Sequence, residues 1–197
     1  EPVAPAPNVN RQGLAWLLSS ALFVVVVTQL VDPVRPGAFG QFVAEPRFLL
    51  ETLLGVAAIT WAGLLAFRSA VPGELSRKFA LAGLVLMFLW LAQYVVGLVS
   101  PALEPSTLGK RAFCYLETMI YSVPPILAAV FLARRLYPLH YMRTAMSLAL
   151  AAGMIPALYM QIACMYVPSH ILQFHILPGL SMVLAGAAVA ALWRLPR

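Results

Sequence analysis

Charge is scarce in this chain, and so is cysteine. Only 10% of the 197 residues are Asp, Glu, Lys or Arg, and two are cysteine. Soluble domains carry about 25% charge, so a water-soluble fold of this size is excluded: it has no means of hiding so much apolar surface. Two cysteines permit at most one internal disulfide. No C-x-x-C, H-E-x-x-H, P-loop or recognisable Ser/His/Asp set occurs, so the usual signatures of thiol exchange, metal hydrolysis and nucleotide chemistry are missing. What is present is apolar: 62% of the residues. The excess of 13 Lys and Arg over 7 Asp and Glu does not form a nucleic-acid patch. These cations stand singly or in pairs between apolar runs, as at the ends of membrane helices.

Six such runs follow one another, at about 14–31, 48–67, 79–99, 113–132, 144–166 and 175–193, each near the roughly 20 residues a helix needs to cross a bilayer. The breaks carry Pro, Gly and charge: "DPVRPG", "VPGELSRK", "PALEPSTLGK", "RRLYPLHYMR" and "VPSHILQF". Residues 1–12, "EPVAPAPNVNRQ", read as a flexible tail. The chain starts at Glu1, and further residues upstream are expected. The fold class is therefore all-α: a polytopic six-helix transmembrane bundle over 13–197 with no soluble domain. The first run is long enough to span and does not read as a cleavable signal peptide.

Orientation follows from Lys and Arg. With the N-terminus cytoplasmic, Arg11, Arg68, Arg77, Lys78, Arg134, Arg135, Arg143, Arg194 and Arg197 lie inside, nine in all, and Arg35, Arg47, Lys110 and Arg111 outside. Both termini are then cytoplasmic. Arg77, Lys78, Arg134, Arg135 and Arg143 form an inner basic rim suited to anionic lipid or to an acidic patch on a partner. Cys114 opens the fourth span and Cys164 closes the fifth, so both thiols come to similar depth on the outer side, in consecutive antiparallel helices.

Cys114 has Lys110 and Arg111 just upstream and stands at a helix N-terminus. Both effects favour thiolate, so Cys114 is expected to be the more nucleophilic of the two. Buried cysteines also serve as small hydrophobes; it is their matched depth that argues for a paired role. His170 and His175 follow Cys164 closely, and thiolate with imidazole is a donor set for borderline and soft metals. A transient metal ion at the outer rim would draw on Cys114, Cys164, His170, His175 and Glu117; no cofactor is otherwise indicated. Glu51 and Glu117 are intramembrane carboxylates about a turn below this rim, where ionisable groups usually face the bundle interior or water. Glu117 shares a helix face with Cys114, and Glu51 is its expected neighbour. His140 is assigned no role. Pro124, Pro125 and Pro156 interrupt the two cysteine-bearing helices and are expected to kink them.

Taken together, "EPRFLLETLLGVAAITWAGLLAFRSAVPG", Cys114 at the start of the fourth span, "LARRLYPLHYMRTAMSLALAAG" and "ACMYVPSHILQFHILPG" resemble the NrsF family, once known as DUF1109. The resemblance extends over nearly the whole chain. It implies a bacterial inner-membrane anti-sigma factor that is not an enzyme. Such a protein would hold an extracytoplasmic-function (ECF) sigma factor through a cytoplasmic N-terminal segment and release it when two outer cysteines, here Cys114 and Cys164, sense metal or oxidative stress. Because residues 1–12 offer few anchors, part of the sigma-binding segment is expected before Glu1. Two other functions fit the same composition. A membrane thiol oxidoreductase would want a second cysteine pair. A small metal or solute transporter would place its polar groups at the midplane and show an inverted repeat.

Overall fold

A computed structural model describes residues 8–193. Asn8 caps the first helix by accepting a hydrogen bond from the main-chain N–H of Arg11, at 3.1 Å, and α1 runs Val9–Val31. Residues 9–12, read from sequence as tail, are thus helical, because a capping asparagine precedes them; residues 1–7, and with them Arg194 and Arg197, lie outside the described residues. A short α2 (Ala38–Ala44) leads into α3 (Pro46–Ser69), which starts on a proline at its first turn, where no N–H is required. Ser76 caps α4 (Arg77–Val99). The remaining helices are α5 (Cys114–Arg134), α6 (Tyr141–Ala163), α7 (Pro168–Ile171) and α8 (Leu177–Trp193), with a π turn at Leu172–Ile176 joining the last two.

Six helical segments are long and apolar enough to cross a membrane: α1, α3, α4, α5, α6 and the composite Pro168–Leu192. The last begins well before the expected 175, because Pro168 nucleates a helical turn only five residues past the end of α6. No strand forms among the described residues. Leu18, Leu30, Leu84, Phe88, Val99 and Leu184 point outward and exposed, a continuous apolar exterior that suits lipid rather than water.

The centre is α6, most of whose apolar stretch is buried. It packs against α8, α3, α5 and α1. Its inner surface is mostly small: Ala145, Ala149, Ala151, Ala152, Gly153 and Ala157 are all buried. At Gly153 a side chain would run into the carbonyl oxygen of Gly179 on α8, so the two backbones touch, the packing that small residues permit between membrane helices. Trp16 of α1 donates from Nε1 to the carbonyl of Pro125 at 2.9 Å. This ties α1 to the proline pair of α5.

The alternating helices sort the ends of the molecule. At one end, Arg68 donates to Asn10 at 2.9 Å and stacks over Phe79, and the basic residues of the α3–α4 and α5–α6 connections gather. At the other, Arg47 donates to Ser100 at 3.0 Å, and Ser106 donates from its main chain to Tyr166 at 2.8 Å, so the loop over 100–113 folds down on the end of α6.

A buried thiol and imidazole cluster as candidate functional site

The second end carries the chemistry. Cys114 is the first residue of α5, and Cys164 is the first residue past α6. Their Sγ atoms are 2.9 Å apart and both side chains are buried. His170, on α7, brings Nε2 to 3.6 Å from the sulfur of Cys164. The ring of His175 is 5.0 Å from that of His170, centroid to centroid, and lies nearly perpendicular to it. One donor atom from each of the four residues falls within 4.8 Å of the others.

The π turn explains how both histidines reach one place. On a regular α-helix, residues five apart diverge by about 140°. Here the main-chain N–H of Leu177 bonds to the carbonyl of Leu172, five residues back. The wider turn brings the second imidazole round to the first. Such turns recur at functional sites. His175 is fully buried, with neither ring nitrogen hydrogen-bonded, whereas His170 is partly exposed and stacks on Phe174. A cavity of about 360 Å³ lined by Lys110, Phe113, Cys114, Met165, His170 and Phe174 opens beside the cluster, so Cys114 and His170 face the entrance while Cys164 and His175 sit deeper.

Two carboxylates do not join the cluster. Glu117 accepts from Nε of Arg111 at 2.8 Å. Glu51 accepts from Arg47, one turn earlier on α3, at 2.9 Å. The expected metal-ligand role of Glu117 and its pairing with Glu51 are thus replaced by two separate ion pairs, because each acid has a nearer guanidinium.

Two buried arginines surround the thiols; read from sequence, they are merely outer-side cations. Besides Glu117, Arg111 donates to the main-chain oxygens of Asp32 and Pro33, just past α1, and to that of Thr28, which also accepts from the main-chain N–H of Asp32. Arg35, just beyond α1, donates from its main-chain N–H to Ala163 at 3.0 Å and from Nε to Ile162 at 3.1 Å. The stretch leaving α1 is therefore clamped to the start of α5 and to the end of α6.

These contacts reverse the expected thiol asymmetry. The positive charge of Arg111 is engaged by Glu117 and by α1, and the thiol of Cys114 approaches the carbonyl of Arg111 at 3.4 Å. The Cys164 thiol is held below its ordinary range, chiefly by the hydrogen bond from Cys114, against the opposing effect of burial and with help from His175. Cys164 is thus the thiolate-prone partner.

The other end holds Arg77, Lys78, Arg134, Arg135 and Arg143, with Arg135 over the ring of Phe131. Between the α3–α4 and α5–α6 connections lies a cavity of about 440 Å³ lined in part by Ser69, Ser76, Arg77, His140 and Arg143. Sequence reading gave no hint that His140 helps to line it.

Six helices long and apolar enough to cross a membrane, with thiols and imidazoles gathered at one end, are compatible with a multi-pass membrane protein. The chain belongs to the NrsF family: the family model described as negative regulator of sigma F matches residues 1–194. Its class is therefore that of a negative regulator of a sigma factor, which is not an enzyme class. Neither a curated protein nor a solved structure matches it.

Proposed function

We propose that the protein is an inner-membrane anti-sigma factor that holds an ECF sigma factor through its cytoplasmic N-terminal segment and releases it when Cys114 and Cys164 meet a metal or an oxidant. The observation that carries this reading is the 2.9 Å approach of the only two sulfhydryls, fifty residues apart, at the end of the bundle opposite the start of α1. A disulfide needs its sulfurs at about 2.05 Å, so closing one asks for less than an ångström of movement. The nine-to-four distribution of Lys and Arg supports thiols outside and termini inside.

Signal transfer requires that the thiols bear on the helix leading to the N-terminus. Arg111 and Arg35 supply that link, and Trp16 holds the same helix to α5. Moving a two-state equilibrium from 1:99 to 99:1 takes about 5.5 kcal/mol of differential stabilisation. The inner basic rim of Arg77, Lys78, Arg134, Arg135 and Arg143 would face anionic lipid and the bound sigma factor.

The test is co-purification from native membranes of the full-length protein tagged at its C-terminus. A stoichiometric sigma factor supports the reading. A preparation without one, but with thiol-dependent quinone reduction or metal flux, overturns it in favour of an oxidoreductase or transporter.

A further inference from the structure

We propose that Cys114, Cys164, His170 and His175 together form a four-coordinate S2N2 site for a thiophilic d10 divalent cation, Zn²⁺ or Cd²⁺, so that the two imidazoles complete the receptor for the signal. This rests on the reading of the thiol pair as the sensor and specifies what that sensor binds.

Geometry is the first argument. With metal–sulfur bonds of about 2.3 Å and metal–nitrogen bonds of about 2.05 Å, a tetrahedral angle sets sulfur and nitrogen ligands about 3.6 Å apart. The Sγ of Cys164 and the Nε2 of His170 stand at 3.6 Å. All four donors lie within 4.8 Å of one another, a spread that contraction onto one ion accommodates. The sulfurs alone are too close. Two thiolates on one ion sit about 3.8 Å apart by the same bond lengths, against 2.9 Å here. Binding therefore pushes Cys114 and Cys164 apart by most of an ångström, whereas oxidation draws them together.

His175 is the second and independent argument. Its ring is fully buried, and neither nitrogen has a hydrogen-bond partner. Buried polar groups are nearly always satisfied, and a ring nitrogen turned towards two thiols and a second imidazole is satisfied by a metal. The donor chemistry then selects the ion. Glu117, the nearest acid in sequence, is held by Arg111, so no carboxylate oxygen is offered and hard cations such as Mg²⁺ or Ca²⁺ are disfavoured. The cavity bordered by Cys114, Met165 and His170 provides the way in. The step is ligand exchange without redox change: M²⁺ enters, the remaining thiol proton, that of Cys114, leaves to solvent, and the two thiolates neutralise the ion.

The test uses the full-length protein, reduced, oxygen-free and in detergent, titrated with Co²⁺ and then with Zn²⁺ or Cd²⁺. The expected result is one Co²⁺ per chain with the intense visible bands of tetrahedral coordination and a sulfur-to-cobalt charge-transfer band, displaced by one equivalent of Zn²⁺. His170→Gln and His175→Gln should each weaken binding by at least the roughly 10–100-fold that losing an outer-sphere partner costs. Cadmium-113 resonance of the wild-type protein reads the donor set without any substitution and should report two sulfurs and two nitrogens. A sulfur-only or oxygen-containing set, or no tetrahedral Co²⁺ spectrum at all, overturns the proposal. Neither spectrum involves a sigma factor. A protein that retains its sigma factor but gives no tetrahedral site refutes this inference alone, and a protein that forms the site but holds no sigma factor refutes the regulatory reading alone.

Discussion

Arg35 donates from its main-chain N–H to the carbonyl of Ala163 at 3.0 Å, so the segment leaving α1 caps the helix that ends beside Cys164. Arg111, three residues before Cys114, does the reverse and donates to the carbonyl of Asp32, the residue that closes α1, and to that of Thr28. The two thiols thus sit between two clamps on a single helix, the one that continues to the N-terminus. An outer event that shifts either cysteine displaces α1 without any need for a path through the bundle.

Arg111→Gln should be among the most destabilising single changes. It leaves Glu117, which is only 12% exposed, without its guanidinium, and removes the side-chain donor to the carbonyls of Asp32 and Pro33 just past α1. Breaking a buried pair by removing one partner costs about 3–5 kcal/mol. Thermal unfolding in detergent, followed by helical circular dichroism, should show a clear fall in Tm. An unchanged Tm would mean that the ion pair and the cap contribute little.

The thiol asymmetry predicts a pH signature. A group stabilised as its anion keeps its charge to lower pH, so Cys164 should remain a thiolate well below the ordinary value of about 8.5. At neutral pH, infrared spectra should contain one S–H stretch, from Cys114, although the chain has two cysteines. In Cys114→Ala the hydrogen bond that stabilises the anion is gone. The Cys164 value should then rise and its S–H band appear at the same pH. Two S–H bands in the wild-type protein at neutral pH would contradict the assignment.

Two glycine substitutions should have opposite signs. At Gly153→Ala the new methyl meets the carbonyl oxygen of Gly179 and the side chain of Met182, and α6 must move from α8. Overpacking of this kind costs about 1–3 kcal/mol. At Gly97→Ala nothing lies within 4 Å, and the reduced freedom of the unfolded chain should stabilise by about 0.4–1 kcal/mol. Paired melting curves decide it; equal shifts would refute the close α6–α8 contact.

Much of this was legible in the sequence. The six spans follow from length and apolar content, and Cys114 and Cys164 could be placed at one depth by counting crossings. What was hidden depends on local geometry that periodicity does not carry. Val9 to Gln12 read as tail because Asn8 reveals itself as a cap only once the helix is seen. The convergence of His170 and His175 depends on a π turn, whereas their spacing on an α-helix would separate them. Arg35 and Arg111 looked like flanking charges, since nothing in one dimension shows that a cation folds inward onto a helix end. Glu117 was placed on the right face of α5, but its partner proved to be an arginine rather than the cluster.

The central claim is tested most directly by measuring release. Membranes carrying the full-length protein with its bound sigma factor would be treated with Cd²⁺ or with a thiol oxidant, and the sigma factor remaining on the membrane quantified. Cys114→Ser and Cys164→Ser would be treated in parallel. The account predicts loss of the sigma factor from the wild-type membranes and full retention on both variants, each of which still binds it beforehand. Equal release from all three would contradict it and leave the cysteines as packing.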